Sequence, residues 1–322
     1  MKRSALVTGA GGAIGSALVR RLLERDYRVR ALVRESGAGL LPQGVEVFRG
    51  DITDCQLIRQ AVASVDLVFH LAAKLHINNP APRLKEEYFR VNVEGTRCLA
   101  RAAQAAKVER LIFFSSISVY GSSRPGQLFD EETPPAPDSL YAETKIEGEK
   151  IVLSELASSV LRVAAVYGPN MKGNYPRLVE AIRRKRLALI GDGRNRRTLV
   201  HETDVCDAAI AAGEHPESVG QIFNVTDGSV HTMREIIEAI AYALEQRAPR
   251  LRLPARPVRL AAGLLEDGLR VAGKKSPIGR ATIDKLTEDI AVSGDKIQRQ
   301  LGFRPQFDLH AGWRQTIAGM DG

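Results

Sequence analysis

Ser4-Ala5-Leu6-Val7-Thr8-Gly9-Ala10-Gly11-Gly12-Ala13-Ile14-Gly15 decides the fold. Ala5-Leu6-Val7 reads as a buried strand, and it runs straight into glycines at 9, 12 and 15. From Ile14 to Arg25 the pattern turns helical, with Leu18, Leu22 and Leu23 on one face. A strand, a glycine turn and an amphipathic helix in that order form a cradle for a dinucleotide pyrophosphate. One glycine bends the chain, one lets backbone approach the phosphates, and one lets helix and strand pack closely, while the helix amides face the anion. Gly9, Gly12, Ala13, Ile14 and Gly15 are the candidate cofactor residues of this turn.

Outward from that stretch, strands and helices alternate. Arg28–Val33, Val45–Phe48, Leu67–Leu71, Leu111–Phe114 and Val160–Val163 read as strands. Helices fill the gaps, among them Gly95 to Lys107 and the segment that carries Tyr141. Strands this apolar are buried on both faces, so the fold class is α/β, a doubly wound parallel (Rossmann) sheet covered by helices. After Gly168-Pro169 the pattern loosens. Residues 1–170 read as the dinucleotide-binding domain, with 198–224 rejoining it through Phe223-Asn224-Val225. Residues 171–197 and 225–322 read as a smaller, interleaved substrate-binding lobe, punctuated by Pro249, Pro254, Pro257 and Pro277, with Gly312 to Ala318 as a closing helix.

The 322 residues are 44% hydrophobic, enough for a sizeable core. No apolar run reaches the roughly 20 residues of a membrane span, and no secretory segment is evident. Cys55, Cys98 and Cys206 are widely spaced, which predicts neither a disulfide framework nor a metal site. A reduced, cytoplasmic protein with no membrane partner and no metal is the expectation. The net charge of +8 fits an anionic substrate. The basic clusters Arg183–Arg186 and Arg194–Arg197 are short and lack interleaved aromatics, which weighs against nucleic acid.

The chemistry lies in the spacing Tyr141-Ala142-Glu143-Thr144-Lys145. Residues four apart share a helix face, so an ammonium stands near a phenol and lowers its pKa. Ser116 leaves a strand where its hydroxyl could bond a reacting oxygen. Ser116, Tyr141 and Lys145 are the candidate catalytic residues. For the cofactor, Ala31-Leu32-Val33-Arg34 ends the second strand with no acid until Glu35. An acid there would bind ribose hydroxyls; Arg34 instead suits a 2′-phosphate and tilts the cofactor toward NADP, with NAD the alternative. Asp51, with Ile52, follows the third strand and could accept from an adenine amino group. Leu71-Ala72-Ala73 offers small residues where backbone must approach a cofactor.

Taken together, these motifs resemble an extended short-chain dehydrogenase/reductase of the nucleotide-sugar epimerase, dehydratase and 4-keto-reductase group. The resemblance runs nearly end to end: Thr8 to Gly15, Gly50-Asp51, His70 to Ala73, Val91 to Thr96, Ser115 to Gly121, Tyr141 to Lys145, Leu161-Arg162, Val166 to Pro169, Gly191-Asp192-Gly193 with Arg197 and Asp204, and Leu301 to Pro305. It implies a bound nicotinamide dinucleotide and a nucleotide-diphosphate sugar of the UDP or dTDP type. Tyr141 would transfer the proton, Lys145 would assist it and hold the ribose, and Ser116 would bond the sugar oxygen. Asn92 would hold the site together. Lys74, Asn174 and Arg197 would contact substrate, Arg197 at the diphosphate. A homodimer through the Gly95 and Tyr141 helices is also implied.

The chain departs from the family pattern at Ala13, Leu140, Leu199 and Glu202. It has no clear second diphosphate arginine, with Arg280 or Lys285 as substitutes. Ile283 to Thr287 with Val292 resembles the 4-keto reductases. The expected activity is hydride transfer at C4 of a nucleotide sugar, as a 4-keto-sugar reductase. The alternative is a UDP-hexose 4-epimerase (UDP-glucose or UDP-N-acetylglucosamine type) with tightly bound NAD. A third reading, of another class, is a non-catalytic cofactor-sensing binding protein.

Overall fold

The parallel sheet grows outward from Ser4–Thr8 (β1), the strand that feeds the glycine turn. The computed structural model describes residues 2–34, 41–74, 84–123, 126–249, 251–271, 276 and 279–321. Glu35 and Pro277, read above as an acid and a breaker, lie outside them, as does the side chain of Lys285.

Beside β1 run Arg28–Val33 (β2) and then Glu46–Arg49 (β3) on one side. On the other side come Leu67–His70 (β4), Arg110–Ser116 (β5) and Ser158–Val163 (β6). All pairings are parallel, and the order reverses between β1 and β4, which opens a crevice at their carboxyl ends. Ala13–Glu24 (α1) covers one face with Leu18, Val19 and Leu22. The opposite face is covered by Cys55–Val62 (α2), Gly95–Ala105 (α4) and Leu140–Glu155 (α5). Leu84–Phe89 (α3) runs into α4 through a π-helical turn, Arg90–Glu94.

Past Ala165–Tyr167 (β7), the chain forms Asn174–Arg183 (α6), Leu189–Ile190 (β8), Arg196–Arg197 (β9) and Leu199–His201 (β10). Glu202–Glu214 (α7) packs beside α1. Ile222–Val225 (β11) then pairs with β6 as the seventh strand, so the chain does return to the main sheet. His231–Thr232 (β12), Met233–Ala243 (α8), Arg252–Leu253 (β13), Ala255–Val271 (α9), Arg280–Thr287 (α10), Asp295–Leu301 (α11) and Leu309–Asp321 (α12) complete the chain. A second core joins Tyr167, α6, α8 and Trp313 of α12.

The cysteine expectation is corrected. Cys55 and Cys98 form a disulfide, their Cα atoms 5.6 Å apart. They are 43 residues apart in sequence, but α2 and α4 lie side by side on one sheet face, which spacing alone does not reveal. The disulfide removes one ground for expecting a cytoplasmic location. Cys206 remains a buried thiol, its pKa pushed up by that burial. No described helix is long and apolar enough to cross a membrane.

Candidate active site

Because the seven strands are parallel, Thr8, Val33, Arg49, His70 and Ser116 all end at one edge of the sheet. The glycine turn opens there. Gly9 has φ +71°, and a Cβ on it would lie 2.8 Å from the Ala72 amide nitrogen. A Cβ on Gly15 would lie 2.3 Å from the Gly9 carbonyl oxygen. Gly9 thus makes the bend against the Leu71-Ala72-Ala73 stretch, and Gly15 sets α1 against the turn. Gly12 is the N-cap of α1 and brings no capping side chain. The first amides of the helix, at Ala13 and Ile14, therefore face outward without an internal acceptor, as an anion requires. These residues fit a dinucleotide pyrophosphate.

A buried chain of hydrogen bonds, invisible to motif or spacing, holds this turn. Thr8 Oγ1 accepts from the Ala72 amide at 3.2 Å and lies 2.8 Å from His70 Nδ1. His70 Nε2 lies 2.9 Å from Thr96 Oγ1, which itself donates to the Asn92 carbonyl at 2.6 Å. Donors and acceptors balance only if His70 is neutral with its proton on Nε2. Burial, with the charge of Lys145 adding to it, lowers the His70 pKa to about 3 and keeps it so. His70 is thus a fixed strut from β4 to α4.

Asn92 sits in the π-helical turn. Its side chain accepts from the Lys74 amide at 2.6 Å and donates to the Lys74 carbonyl at 3.2 Å and to Thr144 at 3.0 Å. It therefore ties the end of the Ala72-Ala73 stretch to α5, one residue from Lys145. The Lys74 ammonium pairs with Glu87 at 2.6 Å. On the other wing, Asp51 Oδ1 accepts from the Thr53 amide and hydroxyl at 3.0 and 2.7 Å. Burial pushes the Asp51 carboxyl up, but the Thr53 bonds and the charges of Arg90 and Arg34 outweigh it and hold the group below its usual value. Asp54, not Asp51, caps α2. Ile52 is buried against Gly95, and Arg34 is exposed at the end of β2.

Ser139 caps α5, accepting from the Ala142 amide, so Tyr141 and Lys145 leave its first two turns. Gly148 lets the helix settle onto Phe113 of β5; a Cβ there would lie 2.5 Å from the ring. Lys145 Nζ donates to the Phe114 carbonyl at 2.7 Å, sits 4.8 Å from the Phe113 ring centre and 5.7 Å from that of Tyr141. Ser116 ends the same strand two residues on, and its Oγ accepts from the Ser118 amide at 3.2 Å. Burial lowers the Lys145 pKa to about 8, while Glu149 works against that shift. Burial, aided by Tyr88, pushes the Tyr141 phenol above its ordinary value. This differs from the sequence expectation that Lys145 lowers the phenol's pKa: here desolvation wins.

Two further substrate candidates, Asn174 and Arg197, lie past β7. Asn174 is the exposed first residue of α6. Arg197 is buried in β9, opposite His231 of β12, with Nη1 3.5 Å from Glu288. His231 in turn pairs with Asp227 at 2.6 Å. Residues 289–293 tie this region to the segment that follows Tyr120. The Ser123 amide donates to the Asp289 carbonyl at 3.0 Å and the Phe129 amide to the Ala291 carbonyl at 2.9 Å, while the Ile290 amide donates to the Arg196 carbonyl at 2.9 Å. Arg280, the expected substitute for a second diphosphate arginine, pairs with Asp267 at 2.6 Å and with Glu266. Among the described residues no cluster of His, Cys, Asp or Glu could hold a metal.

A glycine cradle at the sheet's switch point, beside a serine, tyrosine and lysine on β5 and α5, agrees with the sequence match. The pattern of the NAD dependent epimerase/dehydratase family covers residues 5–226. The chain belongs to that family. Among its relatives is the 2-alkyl-3-oxoalkanoate reductase of Stenotrophomonas maltophilia, 32% identical, covering 97% of this chain and 98% of the relative. The UDP-glucose 4-epimerase of Vibrio cholerae is 30% identical, covering 98% and 95%. Among solved structures, the Thermus thermophilus UDP-glucose 4-epimerase in complex with NAD superposes with a TM-score of 0.76 at 27% identity, over 99% of each chain. The protein is thus an enzyme of the extended short-chain dehydrogenase/reductase group.

For this family member the Lys145 pKa sets a pH dependence. Lys145 is cationic below about pH 8 and neutral above it. With the Lys145 cation as the group that stabilises negative charge on the Tyr141 oxygen, the role expected from the sequence, kcat/KM should fall on an alkaline limb centred near pH 8. A profile flat through about pH 10 would exclude that role for Lys145.

Proposed function

We propose that this enzyme is an NADPH-dependent reductase of a ketone at C4 of a nucleotide-diphosphate sugar of the UDP or dTDP type. The observation that carries the reading is Arg34, exposed at the end of β2 where a ribose-binding acid would otherwise stand, and near enough to Asp51 to help depress its pKa. A planar guanidinium suits a 2′-phosphate. Burial favours the protonated Tyr141 phenol, the form that donates to a carbonyl oxygen. When bound, the nicotinamide supplies a hydride to the carbonyl carbon. Ser116 and Tyr141 hold the carbonyl oxygen; the phenol gives that oxygen its proton, and the Lys145 cation stabilises the phenolate left behind. Asn92 keeps α5 in register with Lys74, and Arg197 would exchange Glu288 for a substrate phosphate. Homodimerisation through α4 and α5 belongs to the same proposal.

The second reading is a UDP-hexose 4-epimerase that retains NAD. The likeness to 4-epimerases over nearly the whole chain favours it. Denaturing the purified protein and identifying any released nucleotide separates the two. The reductase is expected to come away empty and to prefer NADPH over NADH on titration. Arg34→Ala is expected to weaken NADPH binding about tenfold or more, the value of a charge-assisted hydrogen bond, and to leave NADH binding unchanged. Retained NAD with no NADPH preference would decide for the epimerase.

A further inference from the structure

Helix α9 is apolar on the side that packs and on the side that does not. Inward, Ala262 is buried and the helix rests on α10, where Ile283 is buried. Arg259 pairs with Asp284, and Arg280 with Asp267, to bind the two helices together. Outward, Pro257, Leu260, Ala261, Leu264, Leu265 and Gly268 recur at the spacing of a single broad stripe. Leu260 and Leu264 are each 65% exposed and Leu265 is 48% exposed. Just before the helix, Leu251 is 60% and Leu253 37% exposed. Scattered exposed leucines need no explanation, but a continuous stripe on a helix does.

The charge around the stripe identifies what covers it. Among the described residues near it, four arginines, Arg252, Arg256, Arg259 and Arg270, stand against two acids, Glu266 and Asp267. Both acids are engaged by arginines, Glu266 with Arg270 and Arg280 and Asp267 with the same pair. Arg252 and Arg256 are exposed and form no ion pair among the described residues. An exposed apolar helix face with unpaired cations at its edge is the pattern of a helix lying in a bilayer interface, and such a helix needs no spanning segment.

We infer that the outward face of α9, with Leu251 and Leu253, docks the enzyme on an anionic phospholipid surface. The docking does not depend on which carbonyl the enzyme reduces. It bears on the active site through the chain itself, since α10 runs directly into Glu288, the partner of Arg197.

Co-sedimentation of the full-length enzyme with vesicles tests this. Binding is expected to equimolar phosphatidylglycerol and phosphatidylcholine, with little to phosphatidylcholine alone, and to weaken with added salt. Leu260→Glu/Leu264→Glu should abolish it. Arg252→Gln/Arg256→Gln should weaken it roughly thirtyfold, the effect of two basic residues at an anionic surface. Both double variants should keep the wild-type melting temperature and NADPH affinity, because none of the four side chains is in the core or the site. Failure of the wild type to sediment with anionic vesicles would overturn the inference. So would a dimer in sedimentation velocity that Leu260→Glu/Leu264→Glu converts to monomer without any vesicle binding by the wild type, since the stripe would then be a contact between copies.

Discussion

Tyr141→Phe is expected to reduce kcat by two to four orders of magnitude while cofactor affinity changes little, the range attributed to a positioned proton donor. The substitution removes one oxygen and keeps the ring. Ser139 still caps α5, Asn92 still bonds Thr144, and Lys145 still donates to the Phe114 carbonyl. On the proposed mechanism the proton for the substrate oxygen is lost, and hydride addition slows for want of it. Steady-state kinetics together with a cofactor titration give the test. A variant that turns over normally would remove Tyr141 from the chemistry. A wild-type protein that binds dinucleotide but turns over no C4-keto sugar or hexose nucleotide would favour the cofactor-sensing reading, in which Tyr141→Phe has no consequence.

The sheet and its crevice were legible because their signals are local. A buried parallel strand is a continuous apolar run, a glycine turn is a fixed spacing, and Tyr141 and Lys145 lie four apart on one helix. The strand at Ile222–Val225 could be read for the same reason, although its partner β6 lies some sixty residues earlier. What sequence could not provide was long-range pairing of polar side chains. Thr8, His70 and Thr96 are spread over nearly ninety residues, and each alone reads as an ordinary polar residue. The Cys55–Cys98 bond was missed in the same way, since it depends on α2 and α4 being neighbours. The pKa of Tyr141 turned on burial, which a spacing of four residues does not encode.

The same blindness hid the ion pair that supports the site from below, and it carries the largest expected effect on stability. Glu149 lies one helical turn beyond Lys145 on α5, and Arg162 lies on β6. Their side chains are 5% and 4% exposed. Arg162 grips both carboxylate oxygens, with Nε to Oε1 at 3.1 Å and Nη2 to Oε2 at 2.7 Å. Its Nη1 donates to the Tyr120 hydroxyl at 2.9 Å, which donates to Asn224 of β11 at 2.9 Å, and Ser115 donates to Glu149. Burial alone would lower the Arg162 pKa, but the bonds to Glu149 more than offset it and hold the guanidinium charged. Arg162→Leu strips the buried Glu149 carboxylate of its bidentate partner and leaves it only the more distant Lys145 charge, at an expected cost of about 3–5 kcal/mol in unfolding free energy. The double substitution Glu149→Leu/Arg162→Leu removes both charges and should be markedly more stable than Arg162→Leu alone, because the unpaired buried charge, not the lost bond, dominates the cost. Denaturant unfolding of the wild type, Glu149→Leu, Arg162→Leu and the double variant measures this. If the double variant is as unstable as the sum of the two single ones, the pair is not coupled, and the support for α5 must come from the packing of Gly148 and Val152 on Phe113 and its neighbours in the sheet.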